Sequence, residues 1–441
     1  MQPAGYLYAA VDVAIPLVFF SVLGALLAYK LPEGDPVQHR ARLRNILLLA
    51  LALRIVLATL FATIPAIRFF HEDAEGYEWW GRQIARSWVS DVNADDYALN
   101  RPQNYGYPYL IAVFNLLLGE SLAIGSMLNA VVGMLTVLAV YRLACDSFHP
   151  IVGLRSAKFV AFFPSMVLWS SLALKDPLIT LLAVMTLHMA IRLKRRFLLR
   201  DVVVLIFCVV AIQPMRFYIV YFIGFSIAVS MLIDRGRNFV RNLYLQIFLG
   251  GVLVAAVVLL GLGNRVSAGA EVFNLQRVSE FRKGMASTAQ SGFAENIDIS
   301  TPLGAALFLP IGLAVLLLGP FPWQMLSFRA AMTLPEMLIW WAMVPPLIVG
   351  LRYAAKNLLA RTSPILIFSA TLSVAYSLIH GNVGSGFRQR TQIFVFLFIF
   401  GSLGHYLKEC RRKKLDEKLL LVDPPKAAEN PGEPAASAAA A

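Results

Sequence analysis

The sequence predicts an all-α polytopic membrane protein of about 11–13 transmembrane helices, at about 20 apolar residues per crossing. Three observations carry that prediction. First, 58% of the 441 residues are hydrophobic and 15% are charged, against about half and about a quarter in soluble domains. Second, the mean hydropathy is +0.67. Third, the basic residues gather in short runs beside apolar segments, at Arg40–Arg44, Arg192–Arg200, Arg235–Arg241 and Lys408–Lys418, the pattern of cytoplasmic loops. A soluble enzyme, a disordered chain and a disulfide scaffold are excluded. The net charge of +13 is read as topology, with no nucleic-acid partner. Cys145, Cys208 and Cys410 are far apart and fit neither a metal spacing nor a disulfide framework.

Apolar segments lie near 6–29, 45–67, 122–141, 157–173, 177–193, 202–213, 217–233, 243–263, 302–318, 335–350, 363–379 and 391–407. The first 29 residues lack a basic n-region and a clear cleavage site, and read as a retained span. The chain divides into an N-terminal span with its basic loop (1–44), a membrane module (45–233), further membrane helices (234–407) and a basic, then disordered tail (408–441).

Two connections are long. Loop 68–106 holds seven of the 26 acids against four arginines, and loop 264–301 carries balanced charges. Both read as facing away from the basic side. Keeping 30–44 and 192–200 on one side requires an odd number of crossings between the first loop and Arg192. Segments 122–141, 157–173 and 177–193 supply three, so 107–118 is expected to be re-entrant or in-plane. Twelve spans would put the basic tail on the wrong side, so one later segment must fail to cross. The first candidate is 335–350, broken by Pro345-Pro346; a merged 202–233 is the other.

The candidate chemistry lies between spans. Phe70-His71-Glu72-Asp73 follows a span directly; a carboxylate at the lipid boundary has a raised pKa and suits proton abstraction, the alternative being a solvated helix end. Residues 75–89 form an amphipathic helix, with Tyr77, Trp80, Ile84 and Trp88 on one face and Glu78, Arg82 and Arg86 on the other. Such aromatics fit an in-plane interfacial helix. Lys175-Asp176-Pro177 is an ionisable pair in a tight turn, a functional-site hypothesis in a membrane protein. Gln213-Pro214-Met215-Arg216 and His380-Gly381-Asn382 through Phe387-Arg388-Gln389-Arg390 are polar interruptions whose arginines suit a phosphate. His188 and Cys208 read as packed residues, and Arg54 lies within a span.

The order of these features resembles a known superfamily. An Asp after His-Glu and an aromatic in-plane helix are followed by Tyr107-Pro108-Tyr109, Leu118-Gly119-Glu120-Ser121 and Leu128-Asn129. Val140-Tyr141-Arg142-Leu143, Phe163-Pro164-Ser165 and Lys175-Asp176-Pro177 come after them. Over about 45–200 this resembles the GT-C glycosyltransferases that use polyprenyl-phosphate sugars, within them the protein O-mannosyltransferase and aminoarabinose transferase group. The resemblance implies a GT-C-like module whose site faces the non-cytoplasmic side, in a bacterial inner membrane the periplasm. It implies Asp73 as catalytic base, with Glu72 beside it and Asp176 as the second acid, where many relatives carry Glu-Pro. The donor phosphate is expected on Lys175, Arg216, Arg388 and Arg390, and the acceptor or interface at Tyr77, Trp80 and Tyr107. The partners are the bilayer, the lipid-linked sugar and a glycan, lipid or protein acceptor. No cofactor is required and a divalent metal is optional. A flippase of lipid-linked glycan and an O-antigen polymerase or ligase are the alternatives, the latter kept alive by Arg265, Arg277 and Arg282 in loop 264–301.

Overall fold

A computed structural model of the chain describes residues 3–35, 37–64, 72–89, 105–233, 274–288, 292–325 and 331–413. These residues form fifteen α-helices and no named strand. In order they are α1 (Pro3–Lys30), α2 (Val37–Thr63), α3 (Glu72–Val89), α4 (Gly106–Leu118), α5 (Ile124–Ser147), α6 (Pro150–Phe162), α7 (Pro164–Trp169) and α8 (Lys175–Arg195). Then come α9 (Leu199–Ile233), α10 (Leu275–Thr288), α11 (Pro302–Leu318), α12 (Leu334–Asn357), α13 (Leu359–Ile379), α14 (Val383–Gln389) and α15 (Thr391–Arg412). Eight helices are long and apolar enough to span a membrane, and the chain is a multi-pass integral membrane protein. The segment 243–263, residues 68–71 and 90–104 of the first loop, and the tail beyond residue 413 lie outside the described residues.

The bundle has two chemically distinct ends. At the basic end Arg142 donates to the Leu31 carbonyl at 2.8 Å and pairs with Asp35 at 3.0 Å. There Arg195 and Arg361 both donate to the Asp146 carbonyl. At the opposite end Asp176, Arg216 and Gln392 meet. Along α15, Gln392 and Arg412 are separated by 20 residues, about 30 Å at 1.5 Å per residue, the thickness of a bilayer's hydrocarbon core.

This polarity decides which segments cross. Helix α9 is interrupted at Arg216, whose φ of −160° and ψ of 79° leave the helical region just after Pro214. Arg192 pairs with Asp201 at 2.9 Å and Lys194 donates to the Ser230 carbonyl at 3.1 Å, so both ends of α9 sit at the basic end. Arg216, in its middle, reaches Asp176 at the other. The segment is therefore a helical hairpin, and 202–213 and 217–233 are its two arms. Helix α4 brings the chain to α5 without leaving the site end, because Tyr107 donates to the Gly125 carbonyl at 3.2 Å and Ser121 N donates to Asn115 Oδ1 at 3.1 Å.

The segment that stays at one end in the later half is neither 335–350 nor 202–233. Helix α12 continues through Pro345-Pro346, from Glu336 near Ser165 at the site end toward the basic end. Helix α11 instead starts beside Leu378 and ends at Gly319, whose carbonyl receives Arg390. Its composition is that of a span, but its end is held by a tertiary hydrogen bond at the site end.

Arg54 illustrates how the bundle accounts for its polar backbone. Pro164 separates α6 from α7, so the Val160 carbonyl loses its i+4 donor, and Ser165 N donates instead to Glu336 Oε2 at 2.7 Å. The two carbonyls left over, Val160 and Ala161, accept from Arg54 at 3.0 and 2.9 Å, and Arg54 Nε donates to Ser170 Oγ at 2.7 Å. The buried guanidinium thus replaces a broken turn of helix.

Candidate active site

Two tight contacts place the acidic turn. Asn129 of α5 donates to the Leu172 and Leu174 carbonyls at 2.6 and 2.7 Å, which pins the connection before α8 and sets Lys175 and Asp176 in its first turn. Helix α3 meets α4 at Gly81, where a Cβ would lie 2.5 Å from Ile111 Cγ2. That close approach brings the start of α3, with Asp73, toward α8.

Asp176 is 2% exposed and sits in a closed polar ring drawn from four helices. Arg216 of α9 pairs with its Oδ1 at 2.9 Å. Gln392 Nε2 of α15 donates to the same oxygen at 2.9 Å, Tyr376 of α13 donates to Gln392 Oε1 at 2.7 Å, and Arg216 donates to Tyr376 Oη at 3.3 Å. Arg216 also donates to Gln389 Oε1 at 3.3 Å. Each member satisfies the next, the condition under which a buried polar network is stable.

Arg388 joins this ring to solvent. Its Nε lies 3.6 Å from Asp176 Oδ2, while its Nη1 contacts Asp73 Oδ2. The Asp73 side chain is 59% exposed. Burial pulls the Arg388 guanidinium down, but Asp176 and then Asp73 outweigh it and leave its pKa above the usual arginine value. The other sequence candidates divide by position. Lys175 is buried next to Asp176 and feels both arginines and both carboxylates. Tyr77 is half-buried and feels the same four groups; burial first, then Asp176, raises its phenol. The Glu72 side chain lies outside the described atoms. Tyr107 is buried, with its ring 5.6 Å from that of Tyr77. Trp80 is half-buried against Ile84 and Ala112.

Arg390 is turned away from the cluster at Asp176 and shares none of Arg388's contacts there. Only 1% of its side chain is exposed; it donates to the Gly319 carbonyl, pairs with Glu336 at 3.2 Å and is flanked by the Phe387 and Phe394 rings. Arg216 is also buried, so within the described atoms it faces Asp176 rather than an open surface.

The structure adds groups to which the sequence reading gave no role in the site. Gln392, Gln389 and Tyr376 complete the ring, and the two glutamines could have been found by their position flanking the last arginines. His380 is buried beside them, with Nε2 unpartnered; burial, then Arg216 and Arg388, lowers it to about 3, so its imidazole is neutral. Glu78, assigned to the polar face of α3, is instead 3% exposed and accepts from Ser126 Oγ at 3.3 Å. Burial raises it to about 8. The buried stripe of α3 is Ala74, Glu78, Gly81, Ile84 and Ala85, and its small members admit α4 and α5. Tyr77 and Trp80 flank that stripe, and Trp88 is exposed. Among the described residues no three His, Cys, Asp or Glu side chains converge in a metal-ligand group.

A family model described as dolichyl-phosphate-mannose-protein mannosyltransferase matches residues 101–261, less than half of the chain. No curated protein matches. Among solved structures, the chain is similar to the archaeal oligosaccharyltransferase AglB from Archaeoglobus fulgidus in complex with an inhibitory peptide and a dolichol-phosphate. That match has 15% identity and a TM-score of 0.47, over 84% of this chain and 51% of that one. A second structure, the Archaeoglobus fulgidus oligosaccharyltransferase tethered to an acceptor peptide containing the NVT sequon, gives 14% identity and a TM-score of 0.48. It covers 86% of this chain and 51% of that one. The chain spans about half the length of the solved structures it matches.

Proposed function

We propose that the chain is a membrane glycosyltransferase that moves a sugar from a polyprenyl-phosphate donor to an acceptor hydroxyl or amine. One observation carries the reading: Arg388 bridges an exposed carboxylate, Asp73, and a buried one, Asp176. The two acids have different environments and so take different roles. Asp176, held by Arg216 and Gln392, is the fixed countercharge that positions Arg388. Asp73, open to an acceptor, is the base. The family match over 101–261 supports a lipid-phosphate sugar as donor.

In the proposed step the donor phosphate takes Arg388 and draws on Lys175, which releases Asp73. The acceptor proton passes to Asp73 as the acceptor oxygen or nitrogen bonds to the anomeric carbon. The bond from that carbon to the phosphate oxygen breaks, and polyprenyl phosphate leaves with the electron pair. One displacement of this kind inverts the anomeric centre. An apolar groove of about 420 Å³, lined by Tyr218, Phe222, Val278, Val374 and Leu378, begins next to Arg216 and suits the polyprenyl chain. The cations at the opposite end support a cytoplasmic assignment there. The site then faces the outer side, in a bacterial inner membrane the periplasm.

The test is transfer from radiolabelled polyprenyl-phosphate sugars in membranes, with and without a divalent cation, for the wild type, Asp73→Asn and Asp176→Asn. The expected result is transfer by the wild type and its loss in Asp73→Asn at equal protein level. Because general-base catalysis contributes roughly 10²–10⁴-fold, residual activity in Asp73→Asn above a tenth of wild type removes Asp73 as the base.

A further inference from the structure

A second groove lies between α6, α12 and α15, its cationic mouth about one hydrocarbon thickness from the cluster at Asp176. Its volume is about 1050 Å³. One end is cationic, with Arg155, Lys158, Lys408 and Arg412. Among the described residues the one acid lining it, Glu409, is occupied by Arg155 and by Lys413 at 2.7 Å. Lys158, Lys408 and Arg412 are exposed and pair with no carboxylate among the described residues. The other end is apolar, with Phe162, Phe163, Ile339 and Pro345. Phe162 and Ile339 are exposed to the lipid side.

The order of these groups follows the membrane normal. From Arg155 to Phe163 the chain rises about 12 Å at 1.5 Å per residue, close to the depth of one leaflet's hydrocarbon. The cations mark the headgroup level and the rings line the acyl level. Helix α12 packs tightly on α15 along one side of the groove, where a Cβ at Gly404 would overlap the Pro346 carbonyl and Trp340 stacks on Phe394. Positive-inside charge alone accounts for cations at this end. It does not account for three cations, none paired with a carboxylate among the described residues, converging on one mouth of a groove with an aromatic wall behind them.

We propose that this groove binds an anionic diacyl phospholipid of the leaflet at the basic end, its phosphate on Lys158, Lys408 and Arg412 and its chains along Phe162 and Phe163. The lipid would fasten α15, which carries Gln392 at its other end, against α6 and α12. The inference rests on the cationic and apolar lining, and it stands or falls independently of the transferase reading.

The experiment measures binding of phosphatidylglycerol and phosphatidylcholine to the purified full chain in a neutral detergent, by native mass spectrometry. Two triple variants are compared. Lys158→Ala/Lys408→Ala/Arg412→Ala empties the groove mouth, and Arg42→Ala/Arg352→Ala/Lys356→Ala removes exposed cations elsewhere at the same end. Melting temperature and elution volume check that both fold. At roughly fivefold per juxtamembrane cation, the groove variant should lose phosphatidylglycerol affinity more than tenfold while the control changes less than twofold. Ile339→Trp, which fills the apolar end and keeps the cations, should also lose the lipid. Equal losses in the two triple variants, equal binding of phosphatidylcholine, or displacement of the lipid by millimolar inorganic phosphate with Ile339→Trp unaffected would each overturn the proposal.

Discussion

Asp176→Asn is the perturbation that separates the two roles proposed for the carboxylates. Asp176 is 2% exposed, pairs with Arg216 at 2.9 Å and lies 3.6 Å from Arg388 Nε. The amide keeps an oxygen for Gln392 but removes the charge, leaving Arg216 buried without its partner. Breaking a buried pair by removing one member costs about 3–5 kcal/mol, whereas replacing both members with apolar residues of similar size is often neutral. Asp176→Asn should therefore destabilise the protein by about 3–5 kcal/mol, and Asp176→Leu/Arg216→Met should recover most of that loss. Neither should transfer sugar, because Arg388 loses its inner anchor in both. Stability is read by denaturation in mixed micelles and transfer by the radiolabelled-donor assay. A single variant within about 1 kcal/mol of wild type, or a double variant no more stable than the single, would refute the claim that the ring is held by this charge pair.

Other outcomes follow from groups around the ring. Glu78 is raised to about 8 by burial, so the folded state binds its proton more tightly than the unfolded chain does. Its contribution is therefore present below the ordinary glutamate value and lost as pH rises toward about 8. Wild-type melting temperature should fall across that window and Glu78→Gln should flatten the profile. Gly81→Ala sets a Cβ 2.8 Å from Ile111 Cβ; overpacking of this kind costs about 1–3 kcal/mol. It should also lower transfer activity by moving α3, which carries Asp73. Arg86 and Glu120 pair at 2.5 Å but are 47% and 42% exposed. Glu120→Gln should change stability by less than about 1 kcal/mol and leave activity intact.

The polytopic class and the two ends were legible because they depend on composition and on where the charges fall. That 107–118 is not a full crossing was legible for the same reason, as parity among basic segments demands it. What was not legible depends on pairings between distant residues. Segments 302–318 and 335–350 are both apolar and both contain proline. Tertiary contacts, from Arg390 to the Gly319 carbonyl and from Trp340 and Trp341 to the Leu317 and Leu318 carbonyls, tell that the first ends where it does. Arg388 and Arg390 are two residues apart, about 200° around a helix, and so face different neighbours; nothing local says which meets Asp73. On α3 the aromatic spacing drew attention to Tyr77, Trp80 and Trp88, whereas the packed stripe is built on Ala74, Gly81 and Ala85 and takes Glu78 with it. Small residues give a weak periodic signal even where they set the closest contact.

The position of the cluster has a physical logic beyond its charges. Helices α5, α8 and α15, with the second arm of α9, all begin at this end. Helix N-termini carry partial positive charge and unpaired backbone N–H groups. Asp176 lies in the first turn of α8 and Asp73 at the second residue of α3, so both carboxylates occupy positions that favour an anion. Arg216 and Arg388 add full positive charge to the same place. Adding the phosphate of the proposed donor brings a third anion to two carboxylates. The dipoles and Lys175 then supply countercharge beyond the two arginines, which are already shared. On this reasoning a donor analogue with a neutral methylphosphonate ester should bind more weakly than the phosphate. Lys175→Met should narrow that difference while Glu120→Gln leaves it unchanged. Equal affinity of the wild type for the charged and neutral analogues would mean that the cluster serves only to hold the bundle together.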